Sequence, residues 1–312
     1  MLSRVANSLF WLARYLERAE NSARILAITH GYAQELRAVS HAAADLCWGE
    51  VGTLLGDTEG TSAAGVEVFW RYCFDDTVPV SLRSCVTRAR ENARGIRDAI
   101  SSEMWRELNV LHLRMEEEVD MPRSESAQLE MLQRVRNVSH LFQGMRDHTM
   151  RREDEWQFLT LGQYLERAGM TARTLDAMFL HPVLQAAAEA GQSIDTLHLV
   201  AALRMCTAYE TFVRSGHNLV PERVAEFLLL EARFPRSVEF GVQEIGSSLH
   251  ALSGTPQVIF SNEAEQLCGR LVAELRFAAI DEIMGQGLHE YLLRVLQQLD
   301  QIGLAVIRMY FR

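Results

Sequence analysis

Residues 12–26, LARYLERAENSARIL, return 149 positions later as residues 161–175, LGQYLERAGMTARTL, with nine of fifteen positions identical. No other feature restricts the fold as much. Both copies lack proline and read as helix. At about 100° per residue, Leu12, Tyr15, Leu16, Ala19, Ala23 and Leu26 fall on one side, and Glu17, Glu20, Asn21 and Arg24 on another. Repeats of 20–50 residues signal solenoids. A spacing of 149 suits two related helical halves instead. Arg90-Glu91-Asn92-Ala93-Arg94 is a looser third echo of Glu20-Asn21-Ser22-Ala23-Arg24.

The rest of the chain agrees. Helical patterns are expected over about 3–38, 40–55, 80–118, 125–148, 153–180, 193–214, 221–231, 236–251, 261–283 and 286–310. The second of the longer patterns has a possible break at Ser101-Ser102. The segment Gly56–Ser62, the polar run Asp120–Arg123 and His181-Pro182 punctuate them. Val258-Ile259-Phe260 is the one strand-like run. The expected fold is all-α: a compact helical bundle, one domain over 1–312, with weakly repeated halves of approximately 1–150 and 151–312.

Charge and composition narrow the function. The formal net charge is −10, which disfavours nucleic acid as a partner, since phosphate binding needs a basic surface. All 31 basic residues are arginine, so a Walker lysine, a Schiff base and a lysine general base are excluded. Five widely spaced cysteines form no C-x-x-C pair, and reduced thiols are expected. The N-terminus does not read as a signal peptide, and no apolar run is long enough to cross a membrane. A cytoplasmic location is therefore expected, with no membrane association. Helices carrying Glu-x-x-His in pairs are missing, as is His-Glu-x-x-His, so neither a metal nor a cofactor is expected. Asp195-Thr196-Leu197-His198 is the nearest approach.

The polar residues allow two readings. Glu17, Glu20, Asn21 and Arg24, with Glu166 and Arg173 in the second copy, have the spacing to share a helix face. They can form an ion-pair network between helices or a solvated face, or they can line a pocket whose carboxylates and guanidiniums hold a zwitterionic or peptide-like ligand. Glu91, Asn92 and Arg94 lie in a second polar run with Arg88, Arg90 and Arg97. They fit an anion-binding patch or a solvated surface. Arg236 stands near a helix start, where the helix dipole disfavours a cation, so it needs a carboxylate partner such as Glu17, Glu166 or Glu231. If the chain is an enzyme, Glu17 is the candidate base. Glu20 beside it would raise its pKa, and the arginines would clamp a substrate carboxylate. No residue can be assigned a catalytic role from the sequence.

Four blocks also carry a family resemblance: MLSRVANSLFWLARYLERAENSARIL at the start, RARENARGIRDAISSEMWRELN at 88–109, FLTLGQYLERAGMTARTLD at 158–176 and FLLLEARFPRSV at 227–238. The chain resembles the alpha-E proteins. That resemblance implies an all-α fold with a repeated glutamate. It also implies a setting beside, or fused to, a circularly permuted ATP-grasp protein and a transglutaminase-like protein, hence a pathway that makes or trims amide bonds. The function expected from it is that of a helical accessory or binding partner in ATP-grasp-dependent peptide ligation or modification. The alternative is an enzyme acting on a peptide-like or amino-acid substrate. In the second copy Gly169 and Met170 replace Glu20 and Asn21, so a second site equivalent to the first would be the weaker one.

Overall fold

A computed structural model describes residues 2–37, 41–57, 65–119, 124–180 and 196–311. The later part of the 56–62 loop, the 120–123 run, His181-Pro182 and Asp195 lie outside the described residues. The helices of the first half are α1 (Ser3–Arg37), α2 (His41–Gly49), α3 (Val51–Leu55), α4 (Val66–Phe74), α5 (Leu82–Arg94), α6 (Ser102–Glu118) and α7 (Glu125–Thr149). Those of the second half are α8 (Asp154–Leu180), α9 (Thr196–Met205), α10 (Tyr209–Arg214), α11 (Pro221–Leu230), α12 (Val238–Ser253), α13 (Glu263–Phe277), α14 (Ile280–Gln286) and α15 (Leu288–Tyr310). The described residues contain no strand.

Local chemistry sets the boundaries. Ser81, Ser101, Ser124, Ser237 and Asn262 each accept a backbone N–H three residues ahead, which starts α5, α6, α7, α12 and α13. Pro221 opens α11. The single helix read over 80–118 is broken, since the Ser101 cap and the irregular turn at Gly95-Ile96 isolate a short 3-10 segment at Arg97–Ala99. The pattern at 193–214 is also divided, at Thr207, whose φ is +53°. Val258-Ile259-Phe260 is an exposed connection, not a strand. Its Phe260 ring lies flat enough on Gly269 that a β-carbon there would fall 2.4 Å from Cε1.

Contacts close each half into a ring. In the first, α1 packs on α5, α5 on α6, α6 on α7, and α7 on α1. In the second, α8 packs on α12, α12 on α13, α13 on α15, and α15 on α8. The rings meet where α1 lies along α8. These two helices run in the same direction, because their contacts advance together: Gly162 rests on Phe10, Glu166 bonds Arg14 and Arg18, and Arg167 bonds Glu17. They also approach closely, since a β-carbon on Gly162 would sit 2.2 Å from the Phe10 carbonyl oxygen.

Packing against α5, α7 and α8 buries most of the middle of α1. Its apolar side is buried as expected, and so are Glu17, Glu20, Asn21 and Arg24. Along α1 one apolar cluster ends at Leu16 and the next begins at Ala19. The repeated Glu-Arg pair of α1, Glu17-Arg18, occupies the gap between them.

Candidate functional site

The two copies exchange partners. Glu17 of α1 receives Arg167 of α8, with Nε donating to Oε1 at 2.7 Å and Nη2 to Oε2 at 3.0 Å. Glu166 of α8 receives Arg18 of α1, with Nε donating to Oε1 at 2.6 Å and Nη2 to Oε2 at 2.9 Å. Both are forked, charge-assisted pairs, the strongest geometry a guanidinium and a carboxylate can adopt. Even the aromatic support repeats: Arg18 lies 6.0 Å from the Tyr15 ring centroid and Arg167 lies 5.1 Å from that of Tyr164.

Around each exchanged pair the environments differ. On the first side Gln143 Nε2 donates to Glu17 at 3.1 Å. Glu20 receives Arg236 Nη2 at 2.7 Å and also pairs with Arg24, while His140 Nε2 stands 3.5 Å away. Asn21 Oδ1 accepts Arg236 Nη1 at 2.8 Å, and the Arg236 carbonyl accepts the Thr171 hydroxyl at 2.8 Å. The partner required for Arg236 is thus Glu20, with Glu17 at 3.8 Å. Glu231 instead pairs with Arg233. Burial alone would raise the Glu20 carboxyl, but Arg236, the His140 hydrogen bond and Arg24 outweigh it and hold Glu20 well below its ordinary value.

On the second side Arg14 Nε also donates to Glu166, at 3.0 Å, and Arg173 stands 3.9 Å away. Burial again opposes ionisation, and again Arg18 and Arg14 prevail, holding Glu166 below the usual carboxylate range. Glu20 and Glu166 are each surrounded by guanidiniums, whose positive charge outweighs burial.

Of the residues singled out in the sequence, the fold gathers Glu17, Glu20, Asn21, Arg24 and Arg236 into one cluster, and Glu166 and Arg173 into the adjoining one. Glu91, Asn92 and Arg94 are not part of either. Glu91 pairs with Arg90 and Arg94 on the outer surface, and the Asn92 amide donates to the Arg88 carbonyl. The third echo diverges because α5 turns this stretch toward solvent, with only Ala89 and Ala93 packed inward. The neighbouring arginines lie over aromatic rings, Arg88 at 5.7 Å from Tyr15 and Arg97 at 4.1 Å from Trp105. Arg18 and Arg167 were not among the candidates, although both are identities in the repeat and could have been found there. Arg14 and Gln143 carry no comparable signal.

Glu17, Gln143, Arg146 and Gln163 edge a cavity of about 10 Å³, the size of a single water. The thiols offer no alternative nucleophile of ordinary acidity at Cys85, Cys206 or Cys268, where burial pushes the pKa up to about 12, 11 and 12. No group of three or more metal-ligating side chains occurs among the described residues, and no described helix is long and apolar enough to cross a membrane.

The chain is 26% identical over 319 aligned residues to an uncharacterized protein of Mycobacterium bovis and to two uncharacterized proteins from strains of Mycobacterium tuberculosis. Each alignment covers 94% of this chain but 35% of the relative, so the chain spans about a third of their length. No solved structure matches it. Residues 1–311 match the family model Alpha-E, described as a predicted alpha-helical domain with a conserved ER motif, and the chain belongs to that family.

Proposed function

We propose that the chain is a helical binding partner in ATP-grasp-dependent amide ligation or peptide modification, and that its Glu/Arg interior is chiefly a structural joint. The observation behind this reading is the saturation of Glu17 and Glu20 by buried guanidiniums beside a space for one water. A general base must reach a substrate and accept its proton. Glu20 is buried and held strongly ionised, which suits a fixed anion better than a proton shuttle. Binding to a large partner is then work for the outer surface.

The partner's identity comes from the family resemblance: a circularly permuted ATP-grasp protein, with a transglutaminase-like protein in the same pathway. The greater length of the mycobacterial relatives is consistent with a helical domain that works beside other domains. The absence of lysine fits an arrangement in which a different chain binds the nucleotide. The test is reconstitution. The chain is mixed with the neighbouring ATP-grasp protein, ATP and candidate peptide substrates, then assayed by co-purification and mass spectrometry. A complex at micromolar concentration and a ligated product that increases with this chain are expected. Absence of a complex, with an unchanged product pattern, rejects the reading.

A further inference from the structure

The two copies of the repeated segment differ by one carboxylate. In the first, Arg24 is paired with Glu20, four residues earlier on the same helix. In the second, the matching arginine is Arg173, and the position that matches Glu20 is Gly169. A β-carbon on Gly169 would meet the Arg173 guanidinium alone, 3.6 Å from Nη1 and 3.7 Å from Nη2. Arg173 therefore borders the space that a glutamate at 169 would enter.

Charge is left over as a result. Glu166 already accepts two bonds from Arg18 and one from Arg14, and Arg173 only approaches it, at 3.9 Å. The Arg173 Nε has no hydrogen-bond partner among the described residues. Three guanidiniums and one carboxylate leave two positive charges (3 − 1). Asp300 of α15 also acts on Arg173, but from beyond ion-pair distance. Access remains: the side chains of Arg14, Arg18 and Arg173 are 18%, 19% and 28% exposed, whereas Glu166 beneath them is 1% exposed. The buried carboxylate thus fixes the guanidiniums in place while part of each faces outward. Guanidiniums held in this way bind planar carboxylates with little further ordering.

We propose that Arg173, Arg14 and Arg18 form a binding site for a carboxylate supplied by a ligand, which takes the role that Glu20 plays in the first copy. The ligand is a small organic acid or a peptide C-terminus. The site does not depend on any ATP-grasp partner, so it is tested with the isolated chain.

The experiment is thermal unfolding with succinate, with N-acetyl-alanyl-alanine, with the C-terminal amide of that dipeptide and with inorganic phosphate, all against sodium chloride of equal ionic strength. A carboxylate probe at some ten times its Kd should raise the wild-type Tm by about 2 °C, while the amide does not. A rise with succinate alone assigns a small acid, and a rise with the dipeptide acid alone assigns a peptide terminus. Gly169→Glu places the missing carboxylate within the protein. It should begin with a higher Tm and show no further rise. Arg173→Gln should keep its helical circular dichroism and lose the rise. No wild-type rise above chloride, a rise with phosphate only, or an equal rise in Gly169→Glu would each overturn the proposal.

Discussion

Glu17 and Arg167 are 150 positions apart in sequence, yet they bond through both carboxylate oxygens, at 2.7 and 3.0 Å, across the junction of α1 and α8. Arg18 and Glu166 repeat the bond in the opposite sense. Apolar burial alone gives little register to two long helices lying side by side. Two forked pairs of opposite polarity do, because a shift of one residue separates all four charges. Replacing a buried pair by apolar residues is often nearly neutral, whereas stranding one partner costs several kcal/mol. The exchange therefore acts mainly to fix which residues of the two halves meet.

Arg167→Lys tests the fork. Lysine keeps the charge but cannot match both oxygens of Glu17 in one plane. The variant should lose about 2 kcal/mol in urea unfolding, within the range for a charged hydrogen bond at a buried site. Arg94→Lys, on the exposed surface, should change stability by less than about 0.5 kcal/mol.

Gly162 tests the close approach. Gly162→Ala must displace the Phe10 carbonyl, and a cost of about 1–3 kcal/mol is expected in the same assay. Gly144 lies within α7 with nothing inside 4 Å of a β-carbon. Gly144→Ala should stabilise by about 0.5–1 kcal/mol, because alanine is the better helix former.

Acid should weaken the joint. The folded-state pKa values of Glu20 and Glu166 lie below the ordinary 4.5. Their contribution is complete above that value and is lost as pH falls toward the depressed ones. That contribution to the unfolding free energy should hold down to about pH 5 and then fall continuously. In Glu166→Gln, whose starting stability is lower, the decline on acidification should be shallower.

Glu50 has the opposite sign. Burial pushes its carboxyl up to about 7, so the folded state binds that proton more tightly than the unfolded chain does. Stability is lost as pH rises from 4.5 through about 7. Glu50→Gln should be more stable than wild type above that range and lose its advantage as pH approaches 4.5. Burial shifts Glu239 and Glu244 upward as well, so part of the decline with rising pH should persist in the variant.

Much of this could be read from the chain. The all-α architecture follows from helical periodicity and few breakers, and the repeat at 149 residues points to the two central helices. The burial of Glu17, Glu20 and Glu166 was one of two open readings, because periodicity places residues on a face without saying what covers it. α7 closing over α1 decides that for Glu17 and Glu20, and Arg14 and Arg18 of α1 decide it for Glu166. The exchange between Glu17 and Arg167 was not legible, since attention to spacing within a helix favours partners three or four residues away. Arg24 with Glu20 obeys that rule, whereas Arg18 and Arg167 look across to the other helix. Glu91 and Arg94 show the converse: a sequence echo on α5 without a covering helix lies on the wet surface. The significance of Gly169 needed coordinates too, because an absent side chain matters only when Arg173 is seen beside its place.

The most direct test of the reciprocal joint is a double-mutant cycle on Glu17→Gln and Arg167→Gln, measured by urea unfolding. Each single substitution should cost about 3 kcal/mol by stranding a buried charge, and the double variant should cost clearly less than the sum, with a coupling of about 2 kcal/mol. Additive losses, with coupling near zero, would contradict a direct bond between the halves.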